Sequence, residues 1–160
     1  MKKIVIAALL GFAALISAAD VRIYKKNSTY TSDCIASFSQ GKLYKGTSTY
    51  TSDCIVNFNG NRICKGTSSY TSDTIVNFYQ NRLYKGTSSY TSDCIATFSN
   101  NRIYKGTSTY TSDCVATLSG NKLYKGTSTY SSDCLFTFSE KPSPALAIWI
   151  VYSYYRGAFL

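Results

Sequence analysis

The chain has 160 residues, 17 Lys and Arg against 8 Asp and Glu, a formal net charge of +9, and no histidine. With no histidine, and with Glu140 as its only glutamate, the sequence lacks the usual residues of acid–base catalysis and of a zinc site. Its length suits one compact domain. We therefore expect a protein that is not an enzyme and that uses no metal or other cofactor.

The N-terminal segment has the layout of a secretory signal peptide. Lys2 and Lys3 precede the apolar run IVIAALLGFAALI, and small residues end at Ala19. A charged start, a short apolar core and a small-residue cleavage site are the marks of export, and the run is too short for a membrane span. We predict that residues 1–19 are removed and that the protein is periplasmic or extracellular. Loss of the two lysines would lower the net charge from +9 to +7.

Residues 20–141 are predicted to form a repeat domain. Six units of twenty residues follow the pattern Y-K-G-T-S-T-Y-T-S-D-C-I-A-T-F-S-G-N-K-L, and they begin at Tyr24, Tyr44, Cys64, Tyr84, Tyr104 and Tyr124. Short units of this kind bury apolar surface by packing on neighbouring units. The first and last units depart from the pattern, as terminal units of an array often do.

Each unit contains two turn signals and two strand-like segments. The tighter turn is a pair of residues that tolerates positive φ, and the five pairs are Gln40-Gly41, Gly60-Asn61, Gln80-Asn81, Asn100-Asn101 and Gly120-Asn121. Such pairs favour two-residue β-hairpins. The second signal is STYTSD, in which Ser and Asp can bond nearby amides, so the repeated Asp is interpreted as a turn residue. The segments between them are rich in β-branched and aromatic residues, which predicts an all-β fold.

The tight turn predicts a register in which Phe58 faces Ile63 and Asn57 faces Cys64. Alternation along the strands then separates a more apolar core face from an opposite face. In this hairpin the core face would hold Cys54, Val56, Phe58 and Ile63, and the opposite face Ile55, Asn57 and Cys64.

One unit departs from the cysteine pattern. Cys64 stands where other units carry Tyr, and Thr74 stands where they carry Cys. In the predicted register Cys64 and the repeated cysteines point to opposite faces, so we interpret Cys64 as an independent exchange in the tyrosine column. Six cysteines in an exported chain allow three disulfides. We favour small packing residues over a disulfide framework.

A second set of tyrosines gives the candidate contact residues for a ligand or partner. They lie in the longer loops, once per unit: Tyr50, Tyr70, Tyr90, Tyr110 and Tyr130. With nearby lysines they could stack on sugars or contact a protein. The alternative, which we favour, is that these tyrosines, together with the strand tyrosines Tyr44, Tyr84, Tyr104 and Tyr124, close the seams between units. The basic residues recur in every unit and are interpreted as spread over the surface, so we expect no nucleic-acid partner.

The composition changes after Pro142. Residues 142–160 contain the apolar run ALAIWIVYSYY, which is too short for a comfortable helical membrane span. We predict that this tail is a cap or plug that packs against the final unit. Contact with a membrane through the tail is the less favoured alternative.

The cadence F-x-G-N-K-L-Y-K-G, from Tyr24 to about Phe138, resembles the short-repeat β-flower proteins of bacteria. In those proteins a brief hairpin recurs around a central axis, so the resemblance implies hairpins closed around a pseudo-symmetry axis. A β-solenoid is the alternative architecture. The leading hypothesis for function is an exported, non-enzymatic structural or binding scaffold. The alternative is a carbohydrate- or cell-wall-binding module that uses the repeated Tyr and Lys, with a glycan or a cell-surface protein as partner.

Overall fold

The computed structural model describes residues 20–157. Over this range the repeats form twelve antiparallel strands in one closed barrel. The strands are β1 Val21–Lys25, β2 Cys34–Ser39, β3 Lys42–Lys45, β4 Cys54–Asn59, β5 Arg62–Lys65, β6 Thr74–Tyr79, β7 Arg82–Lys85, β8 Cys94–Ser99, β9 Arg102–Lys105, β10 Cys114–Ser119, β11 Lys122–Lys125 and β12 Cys134–Phe138. The predicted signal peptide, residues 1–19, lies outside the described residues.

The barrel closes by pairing the two ends of the repeat region. Each strand pairs with its neighbours in chain order, and β1 pairs with β12 so that Ile23 faces Phe138. Five hairpins therefore have their own tight turn, and the sixth is assembled from the first and last strands. This sharing explains why the terminal units are atypical. The all-β fold closed around an axis is confirmed, and the solenoid alternative is not needed.

The tight turns set the register within each hairpin. Asn100 and Asn101 both have positive φ, 50° and 59°, as the favoured two-residue hairpin turn requires. In the second hairpin Phe58 faces Ile63 and Asn57 faces Cys64, as predicted from the turn.

A β-bulge between successive hairpins changes the faces that the sequence predicts. Leu43 faces Val56 but Tyr44 faces Cys54, so Ile55 has no partner in that ladder. An extra residue in one strand reverses the side on which the residues before it point. Cys54 therefore lies on the outer face and Ile55 packs against the core. The prediction that placed Cys54 inside and Ile55 outside is wrong for this reason, because simple alternation takes no account of a bulge.

The bulge also makes Cys64 and Thr74 direct neighbours. They face each other across β5 and β6, with the Cys64 Sγ 3.7 Å from the Thr74 Oγ1. In the next pair of this kind, Tyr84 faces Cys94. The two departures from the repeat are thus one coupled exchange at a single cross-strand pair, and the interpretation of Cys64 as independent is wrong.

Long loops fold back over the outer face of the barrel. Each contains a single turn of 3₁₀ helix, at Thr31–Asp33, Thr51–Asp53, Thr71–Asp73, Thr91–Asp93, Thr111–Asp113 and Ser131–Asp133. Outward polar side chains hold these loops in place. The Asn57 Nδ2 donates to the Ser68 carbonyl at 3.1 Å, and the Thr97 hydroxyl donates to the Gly106 carbonyl at 2.7 Å. The strand tyrosines also point to this face, and Tyr24, Tyr84 and Tyr104 are buried there.

The C-terminal apolar run forms a helix inside the barrel. Helix α1, Pro144–Tyr155, starts with Ser143 as its N-cap, whose hydroxyl accepts from the Leu146 amide at 3.2 Å. Seven positions that cover all sides of the helix, 146–151 and 153, are buried. They join one core with inward residues of the strands around the barrel. The prediction was packing against the final unit, but the helix contacts the strands from several units.

A barrel of this size needs such a filler. Eight strands make an interior that side chains alone can fill, and the diameter grows with strand number. Twelve strands leave a lumen wide enough for a helix, and a helix that is apolar all round suits a fully buried position. No helix in the described part of the chain is long and apolar enough to cross a membrane.

Candidate functional site

The loop tips carry a ring of exposed tyrosines, which we call the tyrosine crown. Its six members occupy the same position in each unit: Tyr30, Tyr50, Tyr70, Tyr90, Tyr110 and Tyr130. Each side chain is 74–76% exposed. Large aromatic side chains this exposed at six equivalent positions cannot be closing seams between units. That interpretation is wrong for these loop tyrosines, whereas in the strand column Tyr24, Tyr84 and Tyr104 are buried.

A short hydrogen-bond motif fixes each crown residue. At Tyr50, the Ser48 hydroxyl donates to the Asp53 Oδ2 at 2.6 Å and accepts from the Tyr50 amide at 3.1 Å. The Asp53 amide donates to the Tyr50 carbonyl at 2.9 Å. The same contacts recur in the other five units with the residues twenty positions apart. The repeated Asp therefore organises the loop, and the crown backbone is ordered without a ligand.

A ring of lysines surrounds one mouth of the barrel, at the end where the long loops leave the strands. Each is the last residue of its strand and faces a buried core position, as Lys65 faces Val56. Cross-strand partners share a face, so these side chains start from the inner face of the wall. The lysine ring is Lys25, Lys45, Lys65, Lys85, Lys105 and Lys125. The interpretation of the basic residues as evenly spread misses this ring, because the register gathers one lysine from every unit at a single mouth.

Two cavities flank the C-terminal half of helix α1. The larger, about 660 Å³, lies between the helix and strands β8 to β11, and the smaller, about 440 Å³, lies on the side of β4 and β6. Tyr152 and Arg156 line both. The Arg156 guanidinium donates to the Tyr152 hydroxyl at 2.6 Å and lies 5.2 Å from the centre of its ring. The helix thus fills the lumen incompletely at the lysine end.

The single tryptophan has an unusual environment. Trp149 is 5% exposed and lines the smaller cavity. Its Nε1 is buried, and no acceptor for it lies within residues 20–157. Buried polar groups are paired with few exceptions. The open space beside the indole can hold an acceptor such as a water molecule.

All six cysteines are free thiols. Successive column cysteines stand two strands apart, about 9–10 Å, which exceeds the Cα separation of about 7 Å that a disulfide tolerates. Their sulfurs serve instead in local contacts, as when the Cys54 thiol donates to the Gly66 carbonyl at 3.2 Å. Burial raises the pKa of the Cys54 and Cys134 thiols and of the Tyr155 phenol.

Within residues 20–157 there is no group of three or more His, Cys, Asp or Glu side chains that could hold a metal ion. Sequence reasoning found five of the six crown residues but missed Tyr30, the lysine ring and the cavities. The Ser143-Pro144 pair, a helix N-cap followed by proline at the first helical position, was the signal that could have identified α1.

Six two-stranded units closed around a central helix define a symmetric β-repeat protein. The family model of the 6-fold beta flower protein matches residues 23–149, most of the chain. The chain therefore belongs to the 6-fold beta flower protein family, and the resemblance seen in the repeats is confirmed. No curated protein and no solved structure matches the chain.

Proposed function

We propose that this protein is an exported, non-enzymatic scaffold that presents the tyrosine crown to a partner in the periplasm or at the cell surface. The exposure of six equivalent tyrosines, each about three-quarters open to solvent, carries this proposal. Exposed aromatic side chains are unusual on a surface that serves no contact, and tyrosine is enriched at binding surfaces.

The arrangement favours a partner that is itself repetitive. Six identical contacts on one rigid ring can each be weak, because engaging several at once raises the overall affinity by the effective concentration of the linked sites. The Ser–Asp motif holds the loop backbone in place, which reduces the ordering cost of binding.

A carbohydrate or cell-wall polymer is the second candidate for the partner. Polymers of repeated sugars match a ring of repeated contacts, and a tyrosine offers an apolar ring face with a polar hydroxyl at one end. Arg62 lies beside the crown, because its guanidinium donates to the Thr71 hydroxyl next to Tyr70, and this positive charge favours acidic glycans.

Pull-down on isolated cell walls and a glycan array, both with the purified protein, test the crown. We expect saturable binding that is lost in the double variant Tyr90→Ala/Tyr110→Ala. Tyr79→Ala is the matched control, because Tyr79 is 43% exposed but lies in strand β6, outside the crown. Binding that the double variant retains, or that Tyr79→Ala reduces equally, would contradict the proposal. Capture of a protein without glycan binding would favour the scaffold over the carbohydrate module.

Export is tested separately by fractionating cells that express the full sequence. We expect the protein outside the cytoplasm, with a mass that corresponds to a chain starting at Asp20. A cytoplasmic protein that keeps residues 1–19 would contradict the localisation and leave the crown experiment unaffected.

A further inference from the structure

The larger cavity has the shape and lining of a site for a hydrocarbon chain. Its wall side includes Ile95, Ile103 and Val115, and its helix side includes Ile148 and Val151. Its volume of about 660 Å³ lies within the range of small-molecule pockets, about 300–1,000 Å³. Apolar surface on two opposite walls would remove an alkyl chain from water on both sides.

A small residue of the repeat contributes to the space on this side of the helix. Ala96 lines it, at a position where equivalent units carry the larger Val56, Val76 or Phe136. Ala36 and Ala116 in the same column are equally small but do not line the cavity. A smaller side chain in this layer of the wall leaves space that helix α1 does not fill. The small side chain at position 96 therefore contributes to the space on this side of the helix.

Positive charge is concentrated at the mouth of the same cavity. Lys105 and Lys125, two members of the lysine ring, line it together with Arg156 at the end of the helix. No carboxylate is among the described residues that line either cavity. The contacts of Arg156 are with the Tyr152 phenol, which leaves its positive charge available to an anion. An apolar slot with three cations at its rim complements a molecule that has an apolar chain and one anionic end.

We propose that the larger cavity binds a single-chain amphiphile with a carboxylate head, a molecule of the fatty-acid class. The alkyl chain lies between helix α1 and strands β8 to β11. The carboxylate accepts hydrogen bonds from Lys105, Lys125 and Arg156 at the mouth. This site is distinct from the tyrosine crown, because no crown tyrosine lines the cavity, although Ser112, two residues after Tyr110, does.

Calorimetric titration of the purified protein with decanoate, and with decanol as the neutral analogue of equal chain length, tests the site. We expect saturable binding of decanoate that is about tenfold or more tighter than that of decanol, because hydrogen bonds to charged groups add to the transfer of the chain. Fluorescence should change in parallel, since Trp149 is the only tryptophan and its ring lies 5.7 Å from that of Tyr152.

Two variants locate the ligand. Ala96→Phe fills the cavity with the residue that the same column carries at Phe136, and we expect it to abolish binding of both compounds. Lys105→Gln/Lys125→Gln should weaken decanoate about tenfold and leave decanol unchanged. The matched control is Lys25→Gln/Lys45→Gln, which removes the same charge from ring positions that line neither cavity. It should change decanoate affinity less than about twofold.

Several results would overturn the proposal. These are an absence of decanoate binding, equal affinity for decanol, and equal weakening by the two lysine pairs. Retained binding in an Ala96→Phe protein with an unchanged circular-dichroism spectrum would overturn it as well. If Ala96→Phe does not fold, the comparison of the two lysine pairs still decides, because those residues are exposed and their substitution leaves the core intact.

Discussion

Helix α1 should contribute strongly to stability, and two of its isoleucines allow this to be measured. Ile148 and Ile150 are both fully buried, but only Ile148 lines the larger cavity. Truncating a buried Ile to Ala costs about 2–5 kcal/mol, with the larger values at sites that cannot collapse. Ile150 lines neither cavity, and the barrel around the helix is hydrogen-bonded around its circumference. We therefore expect Ile150→Ala to lower the free energy of unfolding by about 4 kcal/mol.

Ile148→Ala should cost less, about 2–3 kcal/mol, because the side facing the cavity has few contacts to lose. Alanine favours helix over isoleucine by a few tenths of a kcal/mol, and this gain is equal in the two variants. It therefore cancels in the difference, which we expect to be about 1–2 kcal/mol. Both variants have the same side-chain change on the same helix, so each is the control for the other.

Urea unfolding, followed by circular dichroism and by Trp149 fluorescence, measures both values. Tyr90→Ala, at a side chain 76% exposed, should change the free energy by less than about 0.5 kcal/mol. A cost below about 1 kcal/mol for Ile150→Ala would show that the helix does not fill the lumen in solution. Equal costs for the two isoleucines would refute the argument from the cavity.

Three further predictions concern single features of the fold. Thr74→Cys should form a disulfide with Cys64 under mild oxidation, detected by mass spectrometry after alkylation without reductant, whereas Cys64→Tyr/Thr74→Cys should form none. Lys26→Gly should stabilise the protein by about 0.5–1 kcal/mol in urea, because Lys26 has a φ of 51° where the other units carry glycine; destabilisation would contradict this. Burial raises the pKa of the Cys54 and Cys134 thiols and of the Tyr155 phenol, so the unfolded chain loses these protons at lower pH than the native state. Stability is therefore full below about pH 8.5 and should fall as the pH rises through 9 to 10. An unchanged urea midpoint between pH 8 and 10 would disprove this.

Local features of the chain were predicted well because they depend on neighbouring residues. The pair Asn100-Asn101 tolerates the positive φ that a tight turn needs, and a two-residue turn fixes which residues face each other. The register of the hairpin with Phe58 and Ile63 followed directly. Five of the six crown tyrosines, all except Tyr30, were also found, because a residue that recurs in a turn-rich segment lies in a loop.

The faces of the strands between hairpins could not be predicted in the same way. The bulge at Ile55 depends on how one hairpin docks on the next, and it decides that Cys54 points outward. The exposure of the crown and the burial of Tyr84 depend on where the long loop folds back. The bulge and the position of the long loop both depend on contacts between segments that are too far apart in the chain for one short sequence window to contain.

By itself the amino-acid sequence determined the repeated hairpin, its tight turn and its alternating apolar pattern, because these arise from backbone preferences and from the two-residue period of a strand. Only the tertiary structure decided that six units close into a ring, that β1 completes the last hairpin, and that α1 occupies the centre. Closure satisfies the edge strands, which no single unit can do. Twelve strands leave a lumen wide enough for the helix, which occupies it. The register of the strands gathers the lysine ring at the mouth, around the end of that helix.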